Sequence, residues 1–216
     1  MATAPAELVT AVKTGDAATI RAHLGSDATL AGAHDENGLS LILLALFHHQ
    51  PADALVEAGP ELGVLEAAAL GRADQLERML DGDPARLGDR TPEGFDPIGL
   101  AAFLGGPDAV RVLLAHGADP DGDPDNPQRS RPVHAAAAVH DHESMRLLLE
   151  AGADPDTQQQ GGFTALHAAA HSDDVEMARL LLANGANPAI TLDDGRDTAT
   201  LAADRGSARV AELLPG

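Results

Sequence analysis

The chain has no cysteine, no tryptophan and no tyrosine, and only four of its 216 residues are phenylalanine. Without cysteine it can form no disulfide bond, thiol nucleophile or cysteine-ligated zinc site. Its core must be aliphatic, and with 44% hydrophobic residues the chain can bury a large one. Cores of Ala, Leu and Val suit closely packed helices, because small residues let backbones approach. The composition therefore favours an all-helical protein.

Basic residues are also scarce, since 14 lysines and arginines stand against 34 acids and Lys13 is the only lysine. The net charge of −20 repels phosphate backbones and anionic lipids, which argues against nucleic-acid or membrane binding. It favours a basic partner, although solubility alone would also explain it. Richness in Ala, Gly, Asp and Arg with almost no lysine indicates a GC-rich bacterial genome.

The chain lacks a long hydrophobic run. Its longest apolar run, residues 39–47, includes Ser40 and is far too short to span a bilayer. Residues 1–8 have neither the basic nor the apolar region of a signal peptide. We therefore expect a cytoplasmic protein.

Motifs of enzymes and cofactor-binding proteins are missing as well. The sequence has no glycine-rich phosphate loop, no Gly-x-Ser-x-Gly elbow and no His-Glu-x-x-His motif. Adjacent acids such as Asp173 and Asp174 lie in a predicted turn, and nothing in the sequence suggests a pocket around them. We therefore expect no catalytic residues, no cofactor and no enzymatic activity.

What the chain does contain is a recurring seven-residue phrase that ends in an alanine pair, at residues 96–102, 131–137 and 164–170, spaced by 35 and 33 residues. A unit with this period cannot close a core alone, so its copies must stack into a solenoid with a long surface for partners. Pairs of small residues extend the pattern with spacings of 34, 22, 34, 35, 33 and 33 residues, at Ala11-Val12, Ala45-Leu46, Ala67-Ala68, Ala101-Ala102, Ala136-Ala137, Ala169-Ala170 and Ala202-Ala203.

Each repeat is predicted to contain two helices. Apolar residues return at helical spacing after the alanine pairs, as at Val110, Leu113 and Leu114. Asp96 and Thr164 are suitable N-caps for the first helix of their units. Helix ends are indicated by a glycine followed three residues later by a proline, at Gly117, Gly152 and Gly185.

These patterns resemble the ankyrin-repeat family, whose motif is G-x-T-P-L-H-x-A-A followed by V-x-x-L-L and G-A-[D/N]. Residues 162–187 are the closest copy, although Ala165 replaces the proline of the motif. The resemblance is specific over residues 94–214 and weaker, but still in phase, over residues 7–88. The residues of the closest copy that fall on motif positions are Thr164, Leu166, His167, Ala169, Ala170, Leu181, Leu182, Gly185 and Ala186.

The resemblance implies an all-α ankyrin-repeat solenoid, a single domain over residues 1–216 with about seven helix–turn–helix units and projecting turns. The second unit is short, because 13 residues separate Leu46 from Gly59 where 15 separate Ala170 from Gly185. The units are predicted at residues 5–33 (an N-terminal cap), 35–60 (short), 61–90, 94–126, 129–160, 162–192 and 195–214 (a C-terminal cap).

The connection after the fourth unit is two residues longer than the 33-residue period requires, which predicts an extended loop over residues 117–131. This loop alternates carboxylates that could attract calcium. Pro124, however, stands where an EF-hand loop requires glycine, and no glutamate closes the loop. We interpret the segment as a solvated extension whose carboxylates are Asp119, Asp121, Asp123 and Asp125.

The histidines of interest fall into two groups. His134 and His167 occupy equivalent motif positions, where the resemblance implies hydrogen bonds within and between neighbouring turns. His140, His142 and His171 lie in inter-helix turns of successive units and could converge on zinc or nickel. They show none of the strict zinc-site spacings, so we expect no bound metal. A metal- or small-ligand-binding protein built on this cluster is the alternative function.

The resemblance also implies a concave face formed by inner helices and turn tips, toward which the two residues after each alanine pair point. All four phenylalanines occupy those positions or the position after a turn glycine. Apolar residues on such a face are typical anchors for a partner, but phenylalanines there also pack against adjoining repeats, above all Phe47 in its short unit. The predicted partner-binding residues are Phe95, Phe103, Leu104, Val139, Phe163, His171, Ser172, Arg196 and Arg205.

The leading function is therefore a non-catalytic scaffold for protein–protein interaction. Its expected partner is a protein that is basic or presents an apolar patch or helix flanked by bases. A monomer is expected in preference to a homo-oligomer, and self-association through the phenylalanine-bearing faces is a further alternative. Arg111, Arg146 and Arg179 on the outer helices are interpreted as a solvated convex ridge.

Overall fold

The computed structural model describes residues 2–122 and 125–214. In these two ranges the chain is helical, isolated β-bridges replace strands, and no helix is long and apolar enough to cross a membrane. The predicted all-α class is confirmed. The α-helices of the described residues are α1 (Ala6–Thr14), α2 (Ala17–Ser26), α3 (Leu41–Phe47), α4 (Asp53–Glu57), α5 (Val64–Ala69), α6 (Ala73–Gly82), α7 (Pro97–Leu100), α8 (Pro107–Ala115), α9 (Pro132–Ala138), α10 (His142–Glu150), α11 (Ala165–Ser172), α12 (Val175–Ala183), α13 (Thr198–Arg205) and α14 (Ala208–Ala211).

The helices stack in two layers. Each odd-numbered helix packs on the next odd-numbered helix from α1 to α13, and we call these the inner helices. Among the even-numbered outer helices, α2 packs on α4, and the helices from α6 to α14 pack each on the next. One apolar core runs from Ala4 to Val210. The predicted solenoid is confirmed, whereas its division into seven capped units stays a prediction.

Apolar spacing explains which side of each helix is buried. In α12, the buried residues are Met177, Ala178 and Leu181, which form one stripe along the helix. The chain leaves its outer helices through glycines in the left-handed conformation predicted for them. Their φ angles are 90° at Gly117, 99° at Gly152 and 91° at Gly185.

Side-chain caps mark the start of the two inner helices for which the sequence predicted them, α7 and α11. Asp96 Oδ1 accepts a hydrogen bond of 2.8 Å from Gly99 N at the start of α7. Thr164 Oγ1 accepts one of 3.3 Å from His167 N at the start of α11. Each cap satisfies a backbone donor that has no partner inside its helix.

Between α2 and α12, the outer layer is thinnest at α4. This helix has 5 residues where α12 has 9, and its buried residue is Leu55. The chain passes from α4 to α5 through residues 58–63, whereas other connections contain a hairpin such as that in which Thr91 N donates to Phe95 O at 3.0 Å. The 13-residue spacing seen in the sequence therefore corresponds to a shortened outer helix.

The connection between α8 and α9, residues 116–131, is longer than the corresponding residues 151–164, as predicted. Asp123 and Pro124 lie outside the described residues. Asp119 Oδ1 accepts a hydrogen bond from Asp121 N at 3.0 Å, and Asp121 Oδ1 accepts one from Asp154 N at 2.9 Å. The side chains of Asp119 and Asp121 therefore hold turn backbone in place.

The inner helix that carries Phe103 contains an irregularity that the sequence did not reveal. α7 continues directly into a π-helical turn, Ala101–Gly105. A Cβ atom at Gly105 would overlap the carbonyl oxygen of Ala68, at the end of α5. Only glycine permits this close approach, and the π turn sets the position of Phe103.

Candidate functional site

A groove of about 440 Å³ opens between the inner helices and the turns that precede them. All four phenylalanines of the chain line it, so both position classes noted in the sequence converge on one surface. We call it the phenylalanine groove. Its aromatic residues are Phe47 at the end of α3, Phe95 just before α7, Phe103 in the π turn and Phe163 just before α11, and its other apolar residues are Leu100, Ala135, Ala138 and Ala168.

The four rings are partly buried, and three of them pack against a neighbouring ring. The Phe47 and Phe95 ring centroids are 5.6 Å apart with an interplanar angle of 50°. Phe163 lies 5.5 Å from the imidazole of His167, at 41°. These are favourable tilted arrangements. Phe47, Phe95 and Phe103 therefore pack against the apolar core and also line the groove. Their contact with a partner stays a prediction.

His134 forms part of the groove wall and connects two turns. Its Nδ1 accepts a hydrogen bond of 3.1 Å from Arg131 N, so its Nε2 carries the proton and donates to Thr157 O at 2.9 Å. Burial lowers the pKa of His134 to about 4, even though the carbonyls of Thr157 and Phe163 favour the charged form. The imidazole is therefore neutral at pH 7.

His167 occupies the equivalent position in the next unit and is fully buried. Its Nδ1 lies 3.2 Å from Thr164 N and 2.8 Å from Thr164 Oγ1. Burial also lowers the pKa of this imidazole. Its Nε2 is buried without a hydrogen-bond partner among the described residues. His134 therefore links two turns, whereas the hydrogen bonds of His167 Nδ1 stay within its own turn.

The groove collects three of the predicted partner-binding residues, namely Phe95, Phe103 and Phe163. Val139 is 41% exposed but lies outside the lining, where Ala138 contributes instead. The predicted face through Val139 is therefore centred one residue earlier on α9.

The other predicted contact residues lie away from the groove. Leu104 is partly buried against the core. Arg196 is paired with Asp194 at 2.7 Å and with Asp204 at 3.2 Å. The exposed residues outside the lining are His171, Ser172 and Arg205. Contacts between any of these residues and a partner stay predictions.

Several residues of the groove were not among the predicted contacts, including Phe47, Arg131 and His134. Phe47 directly follows the small-residue pair Ala45-Leu46, just as Phe103 directly follows Ala101-Ala102. This shared position in the repeat was the signal in the sequence. Arg131 stands where other repeats carry a capping acceptor. His134 was correctly associated with turns, but its place beside the groove depends on the path of residues 125–131.

The predicted histidine cluster is only partly assembled. His140 Nδ1 lies 2.8 Å from Asp174 Oδ2, and His142 Nε2 lies 2.9 Å from both oxygens of that carboxylate. His171 is exposed and does not join them. Burial raises the pKa of Asp174, but hydrogen bonds from Met177 N and the two imidazoles outweigh it, so the net shift is downward.

In chemical terms this cluster ties one unit to the next. Asp174 Oδ1 caps α12 by accepting from Met177 N at 3.0 Å, while the histidines come from the turn before α10 and its first residue. Across residues 2–122 and 125–214, no group of three or more histidine, aspartate or glutamate side chains is placed to hold a metal ion.

The outer helices carry the predicted arginine ridge. Arg111 Nη2 lies 3.3 Å from Glu143, and Arg146 contacts both Glu143 and Glu150. These pairs are solvent-exposed and contribute little to stability. The ridge therefore lies on the outer helices and is charged, whereas the groove lies on the inner layer and is apolar.

Comparison with known proteins agrees with the geometry. The family described as ankyrin repeats (3 copies) matches residues 64–159 and, in a second overlapping match, residues 133–215, which together cover more than half of the chain. No curated protein sequence matches it. Ankyrin repeats generally mediate protein–protein interactions. The helix pairs, the capped turns and the family match lead to the same conclusion: the chain belongs to the ankyrin-repeat family.

Proposed function

We propose that this protein is a non-catalytic interaction scaffold whose partner binds in the phenylalanine groove and against the neighbouring turns. The observation that carries the proposal is the convergence of all four phenylalanines on one groove. In a chain with no tryptophan or tyrosine, this places every large aromatic side chain on a single surface. Aromatic residues at the centre of an interface supply much of its binding energy once they are desolvated.

The dimensions and surroundings of the groove support the same reading. Its volume of about 440 Å³ is within the range of sites that accept a few apolar groups. The lining side chains project from helix ends and from the residues just before helices, which are held by the packed inner layer. A partner therefore meets a surface that is already formed, which reduces the entropy lost on binding.

The chemistry outside the groove bears on the rest of the partner. With 34 acids against 14 bases, the chain attracts a partner with basic residues around its apolar contact, and such long-range attraction raises the association rate. Cytoplasmic location and bacterial origin remain predictions from composition.

The proposal is tested with the double substitution Phe103→Ala and Phe163→Ala. Proteins captured from a lysate of the source organism are compared by quantitative mass spectrometry for the wild type, the double variant and the control Arg179→Ala, whose side chain is exposed on the outer helix α12. Loss of two aromatic anchors costs about 2–4 kcal/mol of binding, a loss in affinity of about 30-fold or more.

We expect the wild type and Arg179→Ala to retain the same partner and the double variant to lose it. Circular dichroism and thermal unfolding establish that the double variant is folded. Equal retention by all three proteins would exclude the groove as the binding surface.

A further inference from the structure

Three helices of the inner layer start without a side-chain cap: α1 after Pro5, α5 after Gly63 and α9 after Arg131. Arg131 is the one of these three N-cap residues that carries a charge. α9 begins after Arg131, and the arginine side chain has no acceptor atom with which to cap a helix. Its backbone N–H instead donates to His134 Nδ1. At the equivalent positions of other units the side chain accepts from the helix backbone: Ser40 from Leu43 N at 3.4 Å, Asp96 from Gly99 N at 2.8 Å, Thr164 from His167 N at 3.3 Å and Asp197 from Thr200 N at 2.8 Å.

Replacement of a capping acceptor by arginine costs helix stability, typically about 1 kcal/mol. Positions where a local rule of this kind is broken are frequently functional. Arg131 is one of the residues that line the phenylalanine groove. The broken rule and the candidate binding surface therefore coincide.

The charge of Arg131 is also unpaired. It is one of four partly buried arginines, with Arg86, Arg146 and Arg196, and each of the other three has a carboxylate oxygen within 4.0 Å. Among the described residues no carboxylate lies that close to Arg131, whose guanidinium makes a single hydrogen bond, from Nη1 to Asp121 O at 3.2 Å. In a chain with 34 acids, a residue that lines an apolar groove thus carries a cation with one hydrogen bond and no carboxylate partner among the described residues.

A partly desolvated guanidinium with free donors is a receptor for an anion, and a carboxylate matches its planar fork with two parallel hydrogen bonds. The net charge of −20 penalises a doubly charged phosphate more than a single carboxylate. The phenylalanine side chains around it call for apolar groups next to that carboxylate.

We infer that the phenylalanine groove binds a partner's peptide segment in which an Asp or Glu side chain, flanked by apolar side chains, pairs with Arg131. This inference rests on the proposed function and specifies the partner's chemistry. The partner therefore carries an acidic residue that contacts Arg131, while its residues outside the groove are preferably basic.

The test is a selection from a displayed library of random 12-residue peptides on four purified proteins: the wild type, Phe103→Ala/Phe163→Ala, Arg131→Gln and Arg129→Gln. Arg129 is the matched control, because it lies in the same turn and is exposed outside the groove lining. We expect the wild type and Arg129→Gln to enrich peptides with Asp or Glu beside apolar residues. Arg131→Gln is expected to lose the acidic preference but keep the apolar one.

A synthetic copy of the most enriched peptide and its counterpart with Glu→Gln or Asp→Asn then give affinities. Each change, Arg131→Gln in the protein or loss of the carboxylate in the peptide, is expected to weaken binding about ten- to hundredfold. The two changes together are expected to cost little more than either alone, since they remove the same contact. Because Arg131→Gln also removes the bond to Asp121, Arg131→Lys, which keeps the charge, is included and should restore part of the affinity.

Two failures are distinguishable. Enrichment of neutral or basic apolar peptides by the wild type, or identical selections on the wild type and Arg131→Gln, would overturn the acidic anchor and leave the groove as the interaction site. Identical selections on the wild type and Phe103→Ala/Phe163→Ala would refute the proposed function itself.

Discussion

Individual histidines of this protein respond to their surroundings in opposite ways. His134 is buried beside the groove and has a pKa of about 4. The pKa of His116 is raised instead, first because its Nδ1 donates a hydrogen bond to Val112 O (2.9 Å) and then because its Nε2 bonds Asp81 Oδ1 (3.3 Å). The folded state is therefore stabilised by the neutral form of His134 and by the protonated form of His116.

For His134 the folded pKa of about 4 lies below the ordinary value of 6.5, so between these values the unfolded chain binds a proton that the folded chain does not. Stability is therefore lost as the pH falls through this window, by about 2 kcal/mol at pH 5 at about 1.4 kcal/mol per pKa unit. His167, whose pKa is also lowered, adds a loss of the same sign. His116 contributes stability that is present at low pH and lost as the pH rises through its raised pKa, so it offsets part of the loss.

Urea unfolding at pH 7 and pH 5 measures this loss, and proton NMR of the imidazole resonances assigns it. We expect His134 to titrate about 2 units or more below His116. A His134 midpoint near 6.5 would contradict its assignment as a buried, neutral link between turns.

At the scale of secondary structure, α4 is the weakest outer helix between α2 and α12. With 5 residues it contributes Leu55 to the core, whereas the 9 residues of α12 contribute Met177, Ala178 and Leu181. Less buried apolar area means a smaller free energy of local opening. The backbone around α4 therefore opens more readily than the backbone of α12.

We expect faster amide hydrogen exchange over residues 50–60 than over residues 177–182, measured by mass spectrometry or NMR on the intact chain. The comparison is internal, because both segments belong to outer helices of one protein. Equal protection of the two segments would refute the link between helix length and local stability.

The same scale shows what the sequence could and could not predict. Helix caps such as Thr164 and exit glycines such as Gly185 are local signals, so they were predictable from spacing and residue type. The π turn was not, because it depends on how closely Gly105 approaches Ala68 from the preceding unit. Local patterns specify elements, whereas contacts between units modify them.

The candidate site follows the same division. From their positions in the repeats, Phe95, Phe103 and Phe163 were predicted to lie on one face, and all three line the groove. The pairing state of Arg131 could not be predicted, since it depends on which of 34 acids approach it in three dimensions. The separation of His171 from His142 likewise depends on side-chain direction in successive turns rather than on spacing.

At the scale of the whole molecule, the two faces of the solenoid differ in what they offer. The outer helices carry exposed ion pairs such as that of Arg111 with Glu143, which are already satisfied. The inner layer carries the phenylalanine groove and the unpaired guanidinium of Arg131. Contact with a partner would lower the free energy of both the apolar surface and the guanidinium, so we expect binding on the inner side.

Site-specific photocross-linking tests that placement most directly. A photoreactive p-benzoylphenylalanine replaces either Gln128, an exposed residue at the rim of the groove, or Arg179, an exposed residue of the outer helix α12. After irradiation in a lysate of the source organism, we expect a partner to be cross-linked from position 128 and no partner from position 179. Cross-linking of the partner from position 179 alone would contradict the account, because it would place the interface on the convex ridge.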